Sequence, residues 1–166
     1  SGSARQMNGI SAWITTNYTA RNSGTSFSET ELNDMVADVW TTKSAEKVFD
    51  MVLCTFKIKQ AIAGFSGNST RYIDASERRL VKEVLVYESA GGSHRIFAHK
   101  DVNNAAGTVH VYGLREDLWN VAYLDQPMFN ELAKTGDSDK GQWVTELTLE
   151  SIEESASNKR SGYSQT

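Results

Sequence analysis

His94, His99 and His110 are the only histidines in this 166-residue chain, and Asp101 stands between the last two. A zinc site needs three or four nitrogen, sulfur or oxygen ligands in tetrahedral geometry. His99, His110 and Asp101 supply three ligands of the right type, on condition that the strands carrying the two histidines pair. Such a set would suit a small α+β binding module or a metal-dependent hydrolase. Otherwise the histidines read as surface or hairpin residues. Cys54, the only cysteine, ends an apolar run. It has no neighbouring base in the sequence and reads as a buried, inert thiol. One cysteine makes neither an internal disulfide nor a paired-cysteine zinc site.

Other chemical patterns fall short of their templates. Asp137 and Asp139 open like a calcium loop, but Gln142 stands at the glycine position and Thr148 at that of the bidentate glutamate. Gly64-Phe65-Ser66-Gly67 is one residue too short for a nucleophile elbow. Gly91-Gly92 lacks the spacing of a dinucleotide loop. Asn17-Tyr18-Thr19 and Asn68-Ser69-Thr70 match the glycosylation acceptor pattern, which is common by chance. Lys57, Lys59, Arg71, Arg78, Arg79 and Lys82 form a mildly basic stretch. Tyr72 is the one aromatic close to it after Phe65, so it reads as a solvated face rather than a nucleic-acid platform. No catalytic, metal or cofactor residues are assigned, and the inventory favours a structural or binding role over an enzyme.

The elements that would position any site begin with the length. This many residues fit one domain, or one domain and a smaller lobe. A chain of ~150 residues buries roughly 68–70% of its unfolded surface, so a core forms without cross-links. The longest strongly apolar run, Met51 to Phe56, is far short of the ~20 residues that span a bilayer, and no signal-peptide pattern opens the chain. The net charge is −4, which argues against gripping phosphate backbones. Residues 1–124 carry 13 basic and 13 acidic side chains, whereas residues 125–166 carry eight acidic and four basic ones. The only proline, Pro127, lies at that junction. Together they suggest a second unit beginning near residue 125.

Ser28-Glu29-Thr30-Glu31 reads as a capping box, with Phe27 and Leu32 as its hydrophobic staple. A helix over 29–41 should bury Leu32, Val36, Val39 and Trp40, with Asp34 and Asp38 turned away. Val48–Cys54 reads as a buried strand. Thr55 caps a second helix with the face Ile58, Ala61, Ile62 and Phe65, stopped by Gly67. From residue 72 the period becomes two. Leu80–Glu88 and Arg95–His99 read as strands joined by a Gly91-Gly92 hairpin, followed by Val109–Tyr112 and Leu118–Leu124. Met128–Lys134 reads as a short helix and 135–141 as a turn-rich loop. Trp143–Ile152 alternates, with Trp143, Thr145, Leu147 and Leu149 on one face and Val144, Glu146, Thr148 and Glu150 on the other. Ser155–Thr166 is Ser-rich and polar, an end expected to be disordered unless a partner holds it. The class is α+β.

Two stretches resemble a group of tailed-bacteriophage major head proteins. Ala4-Arg5-Gln6-Met7-Asn8-Gly9-Ile10-Ser11-Ala12-Trp13-Ile14-Thr15-Thr16-Asn17 is similar to that group's R-x-M-x-G-[LI]-x-A-W-I-x-T-N segment. Val121-Ala122-Tyr123-Leu124, then Leu132-Ala133-Lys134-Thr135-Gly136-Asp137-Ser138-Asp139-Lys140, resemble its V-x-Y-L and L-A-K-T-G-D-S-x-K. Glu146-Leu147-Thr148-Leu149-Glu150 resembles its E-x-T-L-E strand.

The resemblance, which spans residues 4–156, implies the Hong Kong 97-type capsid fold. Residues 1–17 would leave a spine helix, 18–124 form an axial domain, 125–156 return to the peripheral domain, and 157–166 be a polar tail. The family's N-terminal arm, extended loop and spine helix would lie before residue 1. The chain is then expected to be a cleavage product, half of a split gene or an expressed fragment. The implied function is a structural major capsid protein that self-assembles through hexamers and pentamers into an icosahedral phage head. The head would enclose double-stranded DNA without binding it tightly. Other virion proteins would be partners, a membrane would not, and assembly would occur in the host cytoplasm. Trp143 and Leu147 would pack the peripheral sheet, and Glu146, Glu150 and the tail would face neighbouring subunits. A capsid-like shell around cellular cargo would carry the same features.

Overall fold

The computed structural model describes residues 7–42, 48–65, 86–102, 105, 107–133, 136–137 and 139–164. In chain order the elements are α1 (Ile10–Trp13), β1 (Tyr18–Thr25), α2 (Glu29–Thr41), β2 (Met51–Cys54), α3 (Phe56–Ala63), β3 (Val86–Ser89) and β4 (Gly92–Ala98). Then follow β5 (Val109–Leu114), β6 (Trp119–Leu132), β7 (Lys140–Ser151) and β8 (Asn158–Tyr163). They form two compact units, Ile14–Glu116 with Glu153–Thr166, and Ser1–Trp13 with Asp117–Ile152. The division expected near residue 125 therefore lies at 116/117, and the last strand belongs with the first.

The larger unit is a six-stranded sheet ordered β1-β8-β5-β2-β4-β3. β8 runs parallel to β1 and antiparallel to β5, and β2 runs antiparallel to β5 and parallel to β4. α2 lies over β8 and α3 over β4. Leu32, Met35, Val36 and Val39 of α2 and Ile58 and Ile62 of α3 join Val52, Cys54, Ile96, Val109, Val111 and Tyr163 in one core. Burying each such aliphatic side chain contributes ~1.5–3 kcal/mol. Phe49 packs on β5, and a methyl group added at Gly113 would come within 2.8 Å of its ring. Gly113→Ala is therefore expected to cost about 1–3 kcal/mol by overpacking, read as a lower thermal midpoint.

The Ser28 cap is present, its Oγ accepting the Glu31 amide at 3.3 Å. The Glu31 carboxylate does not complete the box but turns to Arg21, Arg160 and Tyr163. Asp38, expected to face away, accepts from Arg160 at 2.7 Å. Trp40 is 68% exposed and Met35 takes its place in the core, because the helix presents 32, 35, 36 and 39 to the sheet. Thr55 caps α3, which stops at Gly64 rather than at Gly67. Gly67 and residues 80–85 of the expected strand lie outside the described residues.

The expected polar tail is strand β8, buried along its whole length. Its side chains are mostly polar: Asn158, Arg160 and Tyr163 donate to acceptors on α2, and the Ser161 hydroxyl pairs with that of Tyr18 on β1. Gly162, at φ +96°, lets it close on β1, where an added Cβ would meet the Arg21 carbonyl at 2.2 Å. On the far face of the sheet, the Lys159 ammonium lies 4.1 Å from the centre of the Tyr18 ring.

In the smaller unit β6 and β7 form one long antiparallel ribbon. Where a helix was expected over Met128–Lys134, residues Met128–Leu132 are instead the end of β6, and Lys134 lies outside the described residues. Met128, Phe129 and Leu132 suit either period, and pairing with β7 decides. Pro127 is accommodated where the register shifts between Asp125 and Met128, since an irregularity spares the ladder a missing donor.

Candidate assembly surface

The ribbon brings together residues that sequence alternation places only in part. Register sets Val121 opposite Leu149, Tyr123 opposite Leu147 and Phe129 opposite Trp143. The pleat puts these six on one face. The Phe129 and Trp143 rings are 5.5 Å apart. The Phe129 ring also lies over Gly141, where a Cβ would sit 2.2 Å from it, so a side chain there would displace the aromatic pair. The opposite face sets Glu150 against Asn120, Glu146 against Asp125 and Val144 against Met128. It is acidic over one half, apolar at Val144 and Met128, and polar again where Gln142 faces Asn130. Trp143 and Leu147 therefore share the apolar face, and Glu146 and Glu150 the other.

Trp143 is 73% and Leu147 41% exposed, and Val121, Tyr123, Met128 and Phe129 are each about half exposed. A two-stranded ribbon is marginal in water by itself. Contiguous exposed apolar surface on such an element marks an interaction site.

The histidines do not assemble. β2 lies between β4 and β5, so the strands that end near His99 and carry His110 do not pair. His99 Nδ1 is 3.6 Å from Asp101 Oδ2, and His110 Nδ1 is 2.8 Å from the Tyr112 hydroxyl. Among the described residues no three histidine, cysteine or acidic side chains are grouped to hold a metal. Cys54 is fully buried, its thiol pushed up to about 12 by burial. The Asn17 amide is committed to the Ser155 and Ser157 carbonyls at 2.6 and 3.2 Å, which leaves it unfit for a glycan in the folded chain. Of the basic stretch, Lys57 and Lys59 lie on α3; Arg71, Arg78, Arg79 and Lys82 lie outside the described residues, as do Asn68 and its acceptor pattern.

His94 is buried, with Nδ1 donating to the Phe49 carbonyl at 2.8 Å and Nε2 2.6 Å from Ser89 Oγ. Burial holds it below its ordinary 6.5, against the opposing pull of the Phe49 carbonyl and Asp50. The unfolded chain therefore takes up the proton first. The stability tied to neutral His94 is complete above about pH 6.5 and is lost as pH falls toward the folded value. His110 is shifted the same way, by burial and then by Lys159. The urea midpoint is expected to fall between about pH 7 and 5.5, and to fall less in His94→Gln. Equal falls in parent and variant would assign the dependence elsewhere.

The sequence reading missed the ion cluster under β8. Arg160, 2% exposed, reaches Glu31 and Asp38, and Glu31 also accepts from Arg21 and from the Tyr163 hydroxyl. The available signal was compositional: α2 holds four acidic residues and no basic one.

No curated protein sequence matches this chain. The cryo-electron-microscopy structure of the holo-SrpI encapsulin complex from Synechococcus elongatus PCC 7942 is similar at 15% identity, over 90% of this chain and 54% of that one, with a TM-score of 0.52. A virus-like particle from Pyrococcus furiosus matches at 12% identity, over 91% of this chain and 58% of that one, with a TM-score of 0.45. The chain thus spans little more than half the length of these two proteins. The fold is mixed α+β, of the Hong Kong 97 type. The family model described as SU10 major capsid protein matches residues 1–162, and the chain belongs to that family.

Proposed function

We propose that this chain is part of the subunit of an icosahedral phage head that encloses double-stranded DNA. The sheet unit corresponds to the axial domain, and the ribbon to the segment returning to the peripheral domain. The observation that carries this is the exposed apolar face of the ribbon, on a chain of the capsid family. Trp143 and Leu147 are covered in the assembled particle as part of the peripheral sheet. Glu146 and Glu150, on the other face, meet basic surfaces of neighbouring subunits, where complementary charge sets register more than affinity. The role is structural and not enzymatic. Assembly proceeds in the host cytoplasm through hexamers and pentamers, with other virion proteins as further partners. Repetition of one modest interface over many copies makes the shell stable.

The net charge of −4 suits a wall that surrounds DNA without gripping it. The test is to purify the full product of the gene and follow it by light scattering and electron microscopy across concentration and salt. Closed shells are expected. A product that stays monomeric throughout sinks the proposal.

A further inference from the structure

The β3–β4 hairpin sets a hydroxyl on a buried imidazole. Ser89 ends β3, His94 lies on β4, and Ser89 Oγ is 2.6 Å from His94 Nε2. The other ring nitrogen decides which atom holds the proton. Nδ1 lies 2.8 Å from the Phe49 carbonyl oxygen, which can only accept, so Nδ1 carries the hydrogen. Nε2 of the neutral ring is then an acceptor, and the Ser89 hydroxyl donates to it. The Gly92 carbonyl, the hydroxyl's other acceptor, is farther away at 3.4 Å. The Gly91 amide donates to Ser89 Oγ at 3.1 Å, where it favours the negative charge that appears as the proton leaves.

This is the order of a nucleophile, its base and a group that orients the base. A backbone carbonyl fills the orienting role that a carboxylate fills in the serine triad. His94 is 1% exposed. Burial favours the neutral ring, which is able to take a proton. The Phe49 carbonyl and Asp50 pull the other way, toward the imidazolium that forms when it does. The turn is also approachable. A Cβ at Gly91 would meet Val36 at 2.6 Å, so that glycine packs against α2. A Cβ at Gly92 would meet nothing within 4 Å, and Ser89 itself is only half-buried.

We propose that Ser89 is a nucleophile activated by His94, and that it takes an acyl group from an activated ester or thioester. Ser89 Oγ attacks the carbonyl carbon while its proton passes to His94 Nε2. The tetrahedral intermediate expels the alcohol or thiol, which recovers that proton from Nε2. The products are an ester on Ser89 and the free alcohol or thiol, and nothing is oxidised or reduced. A single acylation of each chain needs no turnover, so the site is compatible with a structural role. It holds or fails apart from the shell proposal.

The test treats the full chain with an alkyl fluorophosphonate, which loses fluoride to an activated serine and leaves a stable phosphonate ester. Peptide mass mapping compares Ser89 with Ser93, an exposed serine on the same hairpin. Ser89 is expected to react about 100-fold faster, the lower end of what a positioned base contributes. His94→Gln keeps a hydrogen-bonding side chain without a base and should remove that advantage. If His94→Gln unfolds, the comparison of Ser89 with Ser93 in the parent decides. Release of p-nitrophenolate from p-nitrophenyl acetate reads the acyl step, with a rapid equimolar release expected from the parent and none from Ser89→Ala. Equal reaction at the two serines, equal reaction of Ser89 in His94→Gln and parent, or undiminished release from Ser89→Ala overturns the proposal.

Discussion

Replacing Arg160 by alanine is expected to cost about 3–5 kcal/mol of stability, the range seen when one partner of a buried ion pair is removed. The guanidinium is 2% exposed and is the cation that ties β8 to α2, with Nη1 on Glu31 and Nη2 on Asp38. Its loss leaves the Glu31 carboxylate, 14% exposed, with the Arg21 guanidinium and the Tyr163 hydroxyl alone. It also leaves Asp38 on a helix with four acidic residues and no basic one.

Burial alone would raise the Glu31 value, but hydrogen bonds from Tyr163, Arg160 and Arg21 hold it below 4.5. The stability this contributes is present above the unfolded value and is lost as pH falls through the folded one. Arg160→Ala should flatten that acid limb. Urea unfolding provides the measurement, with Glu31→Gln as the second arm of a cycle. The two substitutions should cost less together than the sum of each alone, because they share one interaction. A loss under about 1 kcal/mol for Arg160→Ala, the size of an exposed pair, would mean that β8 is not held this way.

The same strand marks the limit of what local pattern reveals. α2 was legible because its start is local chemistry: the Ser28 hydroxyl and the Glu31 amide are three residues apart. β8 was not, because Asn158-Lys159-Arg160-Ser161-Gly162-Tyr163 has no apolar alternation, and the acids that let it enter a sheet lie more than 100 residues away. Reading polarity as exposure fails where a distant partner neutralises it. The helix expected at Met128 failed for a related reason, since β7 supplies a pairing that no window around Pro127 contains. His99 and His110 look adjacent in sequence, and β2, from residues 51–54, separates their strands. At the candidate site, period two was sufficient to set Trp143 and Leu147 on one face. Val121, Tyr123 and Phe129 complete that face only through register across the ribbon.

That shared face yields the largest expected effect on assembly. In the full gene product, Leu147→Asp is expected to raise the protein concentration at which particles form by about 10- to 100-fold. Covering a leucine contributes ~1.5–3 kcal/mol, and each 1.4 kcal/mol is tenfold in an equilibrium constant. The substitution also puts a charge beside Tyr123 and within the face that holds Trp143 and Phe129, where covering it would strip its water. The sheet unit carries its own core, so its unfolding midpoint should stay near the parental value. Leu147→Ala supplies the control, because it removes most of the apolar side chain at the same position without adding a charge. Light scattering over a concentration series reads both. If Leu147→Ala leaves the assembly threshold unchanged while Leu147→Asp raises it, charge rather than the apolar face is responsible. If neither shifts it, the ribbon is not covered when the shell forms.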